Sequence, residues 1–207
     1  MGNPFVYPKA KHSRRETPPT FPRYNKYKPF LQREFNGQCV YCRSLDNKGY
    51  ETFGVDHYRP KKLFPLLETE YLNLFYACNR CNNLKRDYWP SADQNKLGRF
   101  IPNPCEHVMF DHMRYQKGTV VEISLAGEFT IERLDINDPS AINFREGVIA
   151  AILLAESQIL SAEKYTARIE KHLRTASGKE KENLESKLDQ MLTNISELKI
   201  TISQLGG

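Results

Sequence analysis

The sequence has no apolar run long enough to span a bilayer, and its first residues lack the apolar stretch of a secretory signal. We therefore expect a cytoplasmic protein that makes no membrane contact. Thiols stay reduced in the cytoplasm, so paired cysteines there indicate metal ligands rather than disulfides. Acidic residues are also scarce at the start: residues 1–30 carry seven Lys or Arg and one acid, Glu16. This basic front half, ahead of an acidic back half, predicts a polyanionic partner.

The cysteines are few, and four of the five fall into two Cys-x-x-Cys pairs. Cys39 and Cys42 form the first pair (C-V-Y-C), and Cys78 and Cys81 form the second (C-N-R-C). Four thiolates in two such pairs suit a tetrahedral zinc ion in a closed structural site. A redox dithiol is the alternative, but it would not need a second pair. We therefore predict structural Zn²⁺.

Four other polar residues accompany the cysteine pairs. Asp56 and His57 lie between the pairs, Asn73 follows in Y-L-N-L, and Asn82 comes directly after the last cysteine. A carboxylate, an imidazole and two carboxamides together suit a hard metal ion and a general base. Taken singly, an Asp-His pair can be a surface or capping pair, and Asn73 can be a turn residue.

The chain of 207 residues can bury one core and leave an extended element over. Residues 1–28 mix five prolines with basic and aromatic residues, which predicts an extended arm. That arm is either a solvated tail or a segment that lies on nucleic acid. We expect a central domain over 29–137 and a helical segment over 138–207.

Within the central domain, the pattern predicts a short helix over 29–36 and strand material over 50–58. Residues 70–76 should bring Asn73 to the same place, and a helix should open near Cys81. Glycine and β-branched residues then predict strands over 118–123 and 127–131, in one or two short hairpins.

The C-terminal segment is typical of long amphipathic helices. Asp138-Pro139 is a strong helix start, because Asp caps and Pro fits the first turn. Apolar residues then recur in alternating steps of four and three, and Ser177-Gly178 interrupts them. This predicts an antiparallel helical hairpin or a dimerising coiled coil that acts as a scaffold or an oligomer contact.

The motifs C-V-Y-C, V-D-H-Y-R-P-K, Y-L-N-L and C-N-N-L-K, in this order over about 39–90, resemble the HNH endonuclease family. The similarity is to the subgroup whose ββα-metal core is stapled by two Cys-x-x-Cys zinc knuckles. It implies an α+β fold with a small zinc-stapled core, short hairpins and the long C-terminal helices. It also implies a metal-dependent enzyme that hydrolyses DNA phosphodiester bonds.

The resemblance implies a role for each site residue. His57 would be the general base, and Asn73 would orient its ring. Asp56 and Asn82 would hold one catalytic Mg²⁺ or Mn²⁺. Asn82 stands where other members carry His, which affects the preference among divalent ions. Contacts with phosphate groups are expected from four basic residues, namely Arg59, Lys61, Lys62 and Lys85.

R-F-I-P-N-P, T-I-E-R-L-D-I-N-D-P and Arg145 are similar to PtuB-type nucleases of the Septu and related retron anti-phage systems. That similarity implies an ABC-type ATPase partner, and the C-terminal helices would bind it or a second copy of the chain. Two alternatives stay open: a zinc-knuckle subunit that binds nucleic acid without cutting it, and an oligomerisation scaffold with a decayed core. Cys105, His107 and His112 have mixed spacing and no fourth ligand, which favours packing roles over a second metal site.

Overall fold

The computed structural model describes residues 3–46, 49 and 51–206. The chain divides into two compact units, residues 4–146 and residues 147–206. Its helices and strands, in chain order, are α1 (Lys28–Glu34), β1 (Phe53–His57), β2 (Leu74–Cys78), α2 (Asn79–Lys85), α3 (Ala92–Lys96), β3 (Met113–Gln116), β4 (Thr119–Glu122), α4 (Leu125–Arg133), α5 (Pro139–Leu173) and α6 (Gly178–Gly206). Across the described residues, no helix combines the length and the apolarity that a bilayer crossing requires.

The centre of the first unit is a ββα arrangement made by β1, β2 and α2. The two strands are antiparallel, with Phe53 opposite Cys78 and His57 opposite Leu74. All five residues of β2 are buried, as expected for a strand in the core. Cys78 ends β2 and caps α2, because its sulfur accepts a hydrogen bond from the Cys81 amide. The predicted ββα core is confirmed.

The second hairpin is made by β3 and β4, which pair antiparallel from Met113 opposite Glu122 to Gln116 opposite Thr119. The strand predicted over 118–123 is therefore confirmed. The strand predicted over 127–131 is wrong, because these residues lie in α4. Ser124 caps that helix by accepting a hydrogen bond from the Gly127 amide at 3.1 Å.

Gly127 explains why the sequence of α4 wrongly predicts a strand. A Cβ at this position would lie 1.8 Å from the His112 carbonyl oxygen, so the glycine lets the helix touch the chain that enters β3. The glycine serves this close approach and not a turn between strands.

From residue 3, where the described part of the chain begins, to residue 23, the N-terminal segment has no helix or strand, in agreement with the predicted extended conformation. It is not a solvated tail, however, because Phe5 and Tyr7 are each 1% exposed. The Glu34 carboxylate at the end of α1 accepts hydrogen bonds from the amides of Arg15 and Glu16 at 2.8–3.1 Å. The segment is thus packed against the unit that contains the ββα core. The domain boundaries at 28 and 137 stay a prediction.

The long C-terminal helices begin and break where the sequence predicts. Asp138 caps α5 by accepting a hydrogen bond from the Ser140 amide at 2.9 Å, and Pro139 is its first residue. Gly178, with φ of +56°, opens α6. Within residues 147–206, Glu163 of α5 and Lys199 of α6 form an ion pair at 3.0 Å.

Candidate active site and metal centres

Four buried cysteines form one cluster, namely Cys39, Cys42, Cys78 and Cys81. Their sulfur atoms all lie within 4.8 Å of one another, and the sulfurs of Cys42 and Cys78 are 3.7 Å apart. Tetrahedral Zn–S bonds of about 2.3 Å put neighbouring sulfurs about 3.8 Å apart. The cluster therefore fits a four-coordinate zinc ion, as predicted.

Two arginines line the space beside the sulfurs of Cys42, Cys78 and Cys81. They are Arg80 and Arg145. Arg145 is 1% exposed and donates hydrogen bonds to the carbonyl oxygens of Gly118 and Ile136 at 2.7 and 3.1 Å. Zinc with four thiolates is an anionic group, so neighbouring guanidinium groups lower the cost of burying it.

A cleft of about 520 Å³ lies beside the ββα core. Asp56 and His57, the last two residues of β1, line it together with Asn82 from α2. The rest of the lining comes from seven residues: Tyr24, Val55, Pro60, Lys61, Asn83, Arg86 and Asp87. The structure thus brings three of the four residues predicted for the catalytic centre to one surface.

His57 is held by a backbone carbonyl group. Its Nε2 lies 2.9 Å from the Glu68 oxygen, and the Tyr24 ring packs edge-on at 4.7 Å between centroids. A carbonyl oxygen only accepts hydrogen bonds, so Nε2 carries the proton and Nδ1 is left with a free lone pair. Burial lowers the pKa of His57, which favours the neutral imidazole.

Asn73 is buried, but its side chain makes no hydrogen bond with the His57 ring. Its Oδ1 accepts from the Arg59 amide at 2.9 Å, and its Nδ2 donates to the carbonyls of Arg59 and Leu67 at 3.0 and 3.2 Å. Asn73 therefore fixes both ends of the loop that presents the Glu68 carbonyl to His57. It acts on the imidazole through this loop.

Asp56 is 2% exposed and has two hydrogen-bond donors. The Tyr41 hydroxyl donates to Oδ2 at 2.5 Å, and the Lys85 ammonium donates to Oδ1 at 3.2 Å. Each carboxylate oxygen has two lone pairs, so each keeps one for a metal ion. The half-buried Asn82 adds a carboxamide to the same cleft.

Residues 39–87 match the family model described as HNH endonuclease. This segment is an HNH endonuclease domain. The predicted family is thereby confirmed over a range that contains the four cysteines and every residue of the cleft lining except Tyr24.

Three curated relatives extend the similarity beyond the HNH domain. The chain is 27% identical to Septu protein PtuB of Bacillus mycoides over 161 residues, which cover 64% of this chain and 54% of the relative. It is 28% identical to Septu protein PtuB of Bacillus thuringiensis over 103 residues, covering 49% and 37%. It is also 28% identical to Septu protein PtuA of Bacillus mycoides over 144 residues, covering 58% and 20%. The chain thus spans about half or less of the length of these relatives, and no solved structure matches it significantly.

The basic residues predicted to contact phosphate lie in different surroundings. Lys61 lines the cleft and pairs with Glu68 at 3.1 Å, while Lys62 is 76% exposed. The Arg59 guanidinium stacks over the Trp89 ring at 5.4 Å from its centroid. Lys85 is 1% exposed and also donates to the His57 carbonyl at 2.7 Å, so it does not reach a phosphate. Its predicted role is corrected: it holds Asp56 and the end of β1.

Sequence reasoning missed several residues that shape the HNH domain's cleft. Arg86 follows α2 with φ of +51° and lines the cleft, and its basic character next to C-N-N-L-K was the available signal. Tyr24, Tyr41 and Glu68 gave no local signal, because their contacts with His57 and Asp56 depend on the tertiary fold.

The residues considered for a second metal site lie elsewhere in the first unit. The rings of His107 and His112 are 5.2 Å apart, and His112 Nδ1 lies 2.7 Å from the Ser124 hydroxyl. Burial raises the pKa of the Cys105 thiol. Within the described ranges, the four-cysteine cluster is the one group of at least three His, Cys, Asp or Glu side chains that lie close enough to share a metal ion.

Proposed function

We propose that this chain is a metal-dependent HNH endonuclease that hydrolyses DNA phosphodiester bonds. The observation that carries the proposal is the shared cleft, in which an imidazole with a free Nδ1 lies beside a carboxylate and a carboxamide. An isolated nucleic-acid-binding module has no need of a histidine held in this way.

The donor set of the cleft fits a divalent ion such as Mg²⁺ or Mn²⁺. Asp56 and Asn82 would hold it through oxygen atoms, the ligands that these hard ions prefer. A bound ion supplies positive charge to the phosphate and to the leaving oxygen. Either Mg²⁺ or Mn²⁺ is compatible with this proposal.

The protein's own residues prepare the attack by water. The free Nδ1 of His57 accepts the water proton, and the Glu68 carbonyl keeps the ring in the orientation that exposes Nδ1 to the cleft. The neighbouring carboxylate of Asp56 stabilises the imidazolium that forms. Asn73 keeps the supporting loop in place.

The cleft rim supplies contacts with the substrate backbone. Lys61 and Arg86 line the cleft, and the exposed Lys62 follows Lys61 in the same loop. Cationic side chains around the reacting groups attract the phosphates of DNA without reading its sequence. We therefore expect a nuclease whose core has little sequence preference.

The similarity to the Septu proteins PtuB and PtuA supports a role for the proposed activity in a defence system. We infer that the chain is the nuclease effector of a bacterial anti-phage system and acts in the cytoplasm with an ABC-type ATPase partner. The helices of residues 147–206 expose apolar side chains, among them Leu153, Leu160 and Ile200 at 54–59% exposure. Such a surface suits contact with the partner or with a second copy of this chain. Binding of either one would restrain a nuclease of low specificity.

Nicking of supercoiled plasmid with Mg²⁺ or Mn²⁺ tests the proposal. Wild-type protein should nick, and His57→Ala should lose at least about a hundredfold in rate because the general base is gone. His107→Ala is the matched control, since it removes a half-buried histidine outside the cleft. Equal cutting by wild type and His57→Ala would refute the assigned base. DNA binding without cutting, also with the ATPase partner present, would favour the non-catalytic binding subunit.

A further inference from the structure

One residue within the first zinc knuckle and one residue that follows the second bind the same carboxylate. Tyr41 lies between Cys39 and Cys42, and its hydroxyl binds one oxygen of Asp56. Lys85 lies four residues after Cys81 on α2, and its ammonium binds the other oxygen. Residues four apart lie on the same face of a helix, so the helical turn that places Cys81 also places Lys85.

The position of the Tyr41 ring depends directly on the first knuckle. The turn is closed by a hydrogen bond from the Cys39 amide to the Ser44 carbonyl at 2.9 Å. The Tyr41 carbonyl accepts a hydrogen bond from the Tyr7 hydroxyl at 2.8 Å, and the tyrosine is 0% exposed. A zinc ion bound by the cysteines on either side would leave this residue almost no freedom.

We propose that Tyr41 is a positioning residue which orients Asp56 for the catalytic ion, so that the zinc knuckles set the affinity of the cleft for divalent metal. This inference rests on the proposed function, in which Asp56 is a ligand of that ion. Tyr41 touches neither substrate nor ion and acts through Asp56.

The physical reason is preorganisation. A carboxylate that is hydrogen-bonded at both oxygens cannot rotate about its Cβ–Cγ bond, and the lone pairs left free then point in fixed directions. A carboxylate oxygen only accepts hydrogen bonds, so the Tyr41 hydroxyl is the donor in this contact. Without the hydroxyl, only Lys85 would hold the carboxylate, and the ion would have to restrict its rotation on binding.

Binding of Mn²⁺ in the absence of DNA, followed by the electron paramagnetic resonance signal of the free ion, measures this effect directly. Tyr41→Phe should weaken Mn²⁺ binding about tenfold, the lower end of what loss of an outer-shell partner costs. Its zinc content should equal that of wild type. Nicking by this variant should need about ten times more Mn²⁺ and recover at saturation.

Tyr76→Phe is the matched control. Tyr76 is also buried and also donates to a carboxylate, that of Asp46 at 2.8 Å, but Asp46 does not line the cleft. This variant should bind Mn²⁺ as wild type does. Equal weakening in both variants would show a general loss of packing and would overturn the assignment to Tyr41.

Asp56→Ala separates failure of the inference from failure of the proposed function. If Asp56→Ala abolishes Mn²⁺ binding while Tyr41→Phe binds as wild type, the inference is wrong and the metal site stands. If Asp56→Ala binds as wild type, the metal site itself is wrong, and the inference falls with it.

Replacement of Tyr41 by 3,5-difluorotyrosine decides the matter if Tyr41→Phe does not fold. Fluorine makes the hydroxyl a stronger donor while the ring and its packing remain. A stronger hydrogen bond holds the Asp56 carboxylate more firmly, so Mn²⁺ binding should tighten severalfold in a folded protein with full zinc content. Unchanged affinity would overturn the role of the hydroxyl.

Discussion

A buried asparagine side chain satisfies three backbone groups of a single loop. Asn73 bonds Arg59 twice and Leu67 once, and so closes the loop whose Glu68 carbonyl meets His57. Buried backbone groups seldom lack partners, and a side chain that supplies three of them fixes the loop firmly. The position of the imidazole thus depends on a residue that does not touch it.

We predict that Asn73→Ala lowers the nicking rate about a hundredfold, since small misplacements of a catalytic group have effects of that size. Zinc content should change little, because the cysteine cluster does not depend on this loop. Single-turnover nicking under saturating metal measures the rate.

Asn103→Ala is the control for this prediction. Asn103 is also buried and also bonds a loop, through the Cys105 amide and the Glu106 carboxylate, but it lies outside the cleft. A nicking rate for Asn73→Ala equal to that of Asn103→Ala would contradict the role given to Asn73.

At the scale of elements, Gly127 lets α4 come very close to the backbone of His112. A methyl group at residue 127 would collide with the His112 backbone, which flexible side chains cannot relieve. Gly127→Ala should therefore destabilise the protein by about 2 kcal/mol or more, as overpacking does, despite the better helix propensity of alanine.

Gly147→Ala should have the opposite effect on the stability of the protein. Gly147 lies within α5, and nothing approaches a Cβ built there within 4 Å. The change should raise stability by about 0.5–1 kcal/mol. Urea unfolding of both variants tests the pair, and stabilisation by Gly127→Ala would refute the close contact.

The Glu34 carboxylate is a buried contact between α1 and the N-terminal segment. Burial raises the pKa of Glu34, but hydrogen bonds from the Glu16 and Arg15 amides more than offset this, so the pKa lies below its usual value. A lowered carboxyl pKa stabilises the fold above the unfolded-state pKa, and that stability is lost as the pH falls through the folded-state pKa. We expect unfolding free energy to drop below about pH 4.5.

Glu34→Gln should be less stable than wild type at pH 7 and should show a shallower decline between pH 5 and pH 3. Unfolding free energy measured across that range gives both quantities. Glu68→Gln, which changes an exposed acid paired with Lys61, should keep the wild-type slope. An unchanged slope in Glu34→Gln would show that this carboxylate does not contribute to the loss of unfolding free energy in acid.

The clustering of the four cysteines, and of Asp56, His57 and Asn82 in one cleft, could be predicted from the sequence because these residues lie in short motifs. Two Cys-x-x-Cys pairs, Asp-His and the asparagine after Cys81 specify ligand types by identity and spacing alone. The ββα core followed from the same stretch.

Contacts over long sequence distances could not be predicted in this way. Glu34 bonds residues 18 to 22 positions earlier, so the packing of the N-terminal segment leaves no local pattern. Lys85 resembles any basic residue near a nuclease motif until the fold buries it against Asp56. Gly127 resembles a strand residue because its neighbours are β-branched and aromatic, whereas its real constraint is the His112 backbone.

For the whole molecule, the zinc cluster joins chain segments almost forty residues apart. Structural zinc contributes on the order of 10 kcal/mol of binding energy that only the folded state can use. We predict that Cys39→Ser or Cys78→Ser yields insoluble or unfolded protein.

Chelation of zinc from wild-type protein should likewise abolish nicking, even after Mg²⁺ is restored. Near-ultraviolet circular dichroism and zinc content follow the loss of fold. A soluble, active protein without zinc would exclude the structural role of the cluster.

One feature of the cleft affects how mutations act on it. The group that selects the His57 tautomer is the peptide carbonyl of residue 68, and every amino acid carries such a carbonyl. A point mutation at residue 68 keeps this carbonyl, so the orientation of the proposed base, His57, is protected from changes that would disable a side-chain partner. Sequence variation at residue 68 is therefore compatible with an intact base, and only shifts of the loop backbone would release it.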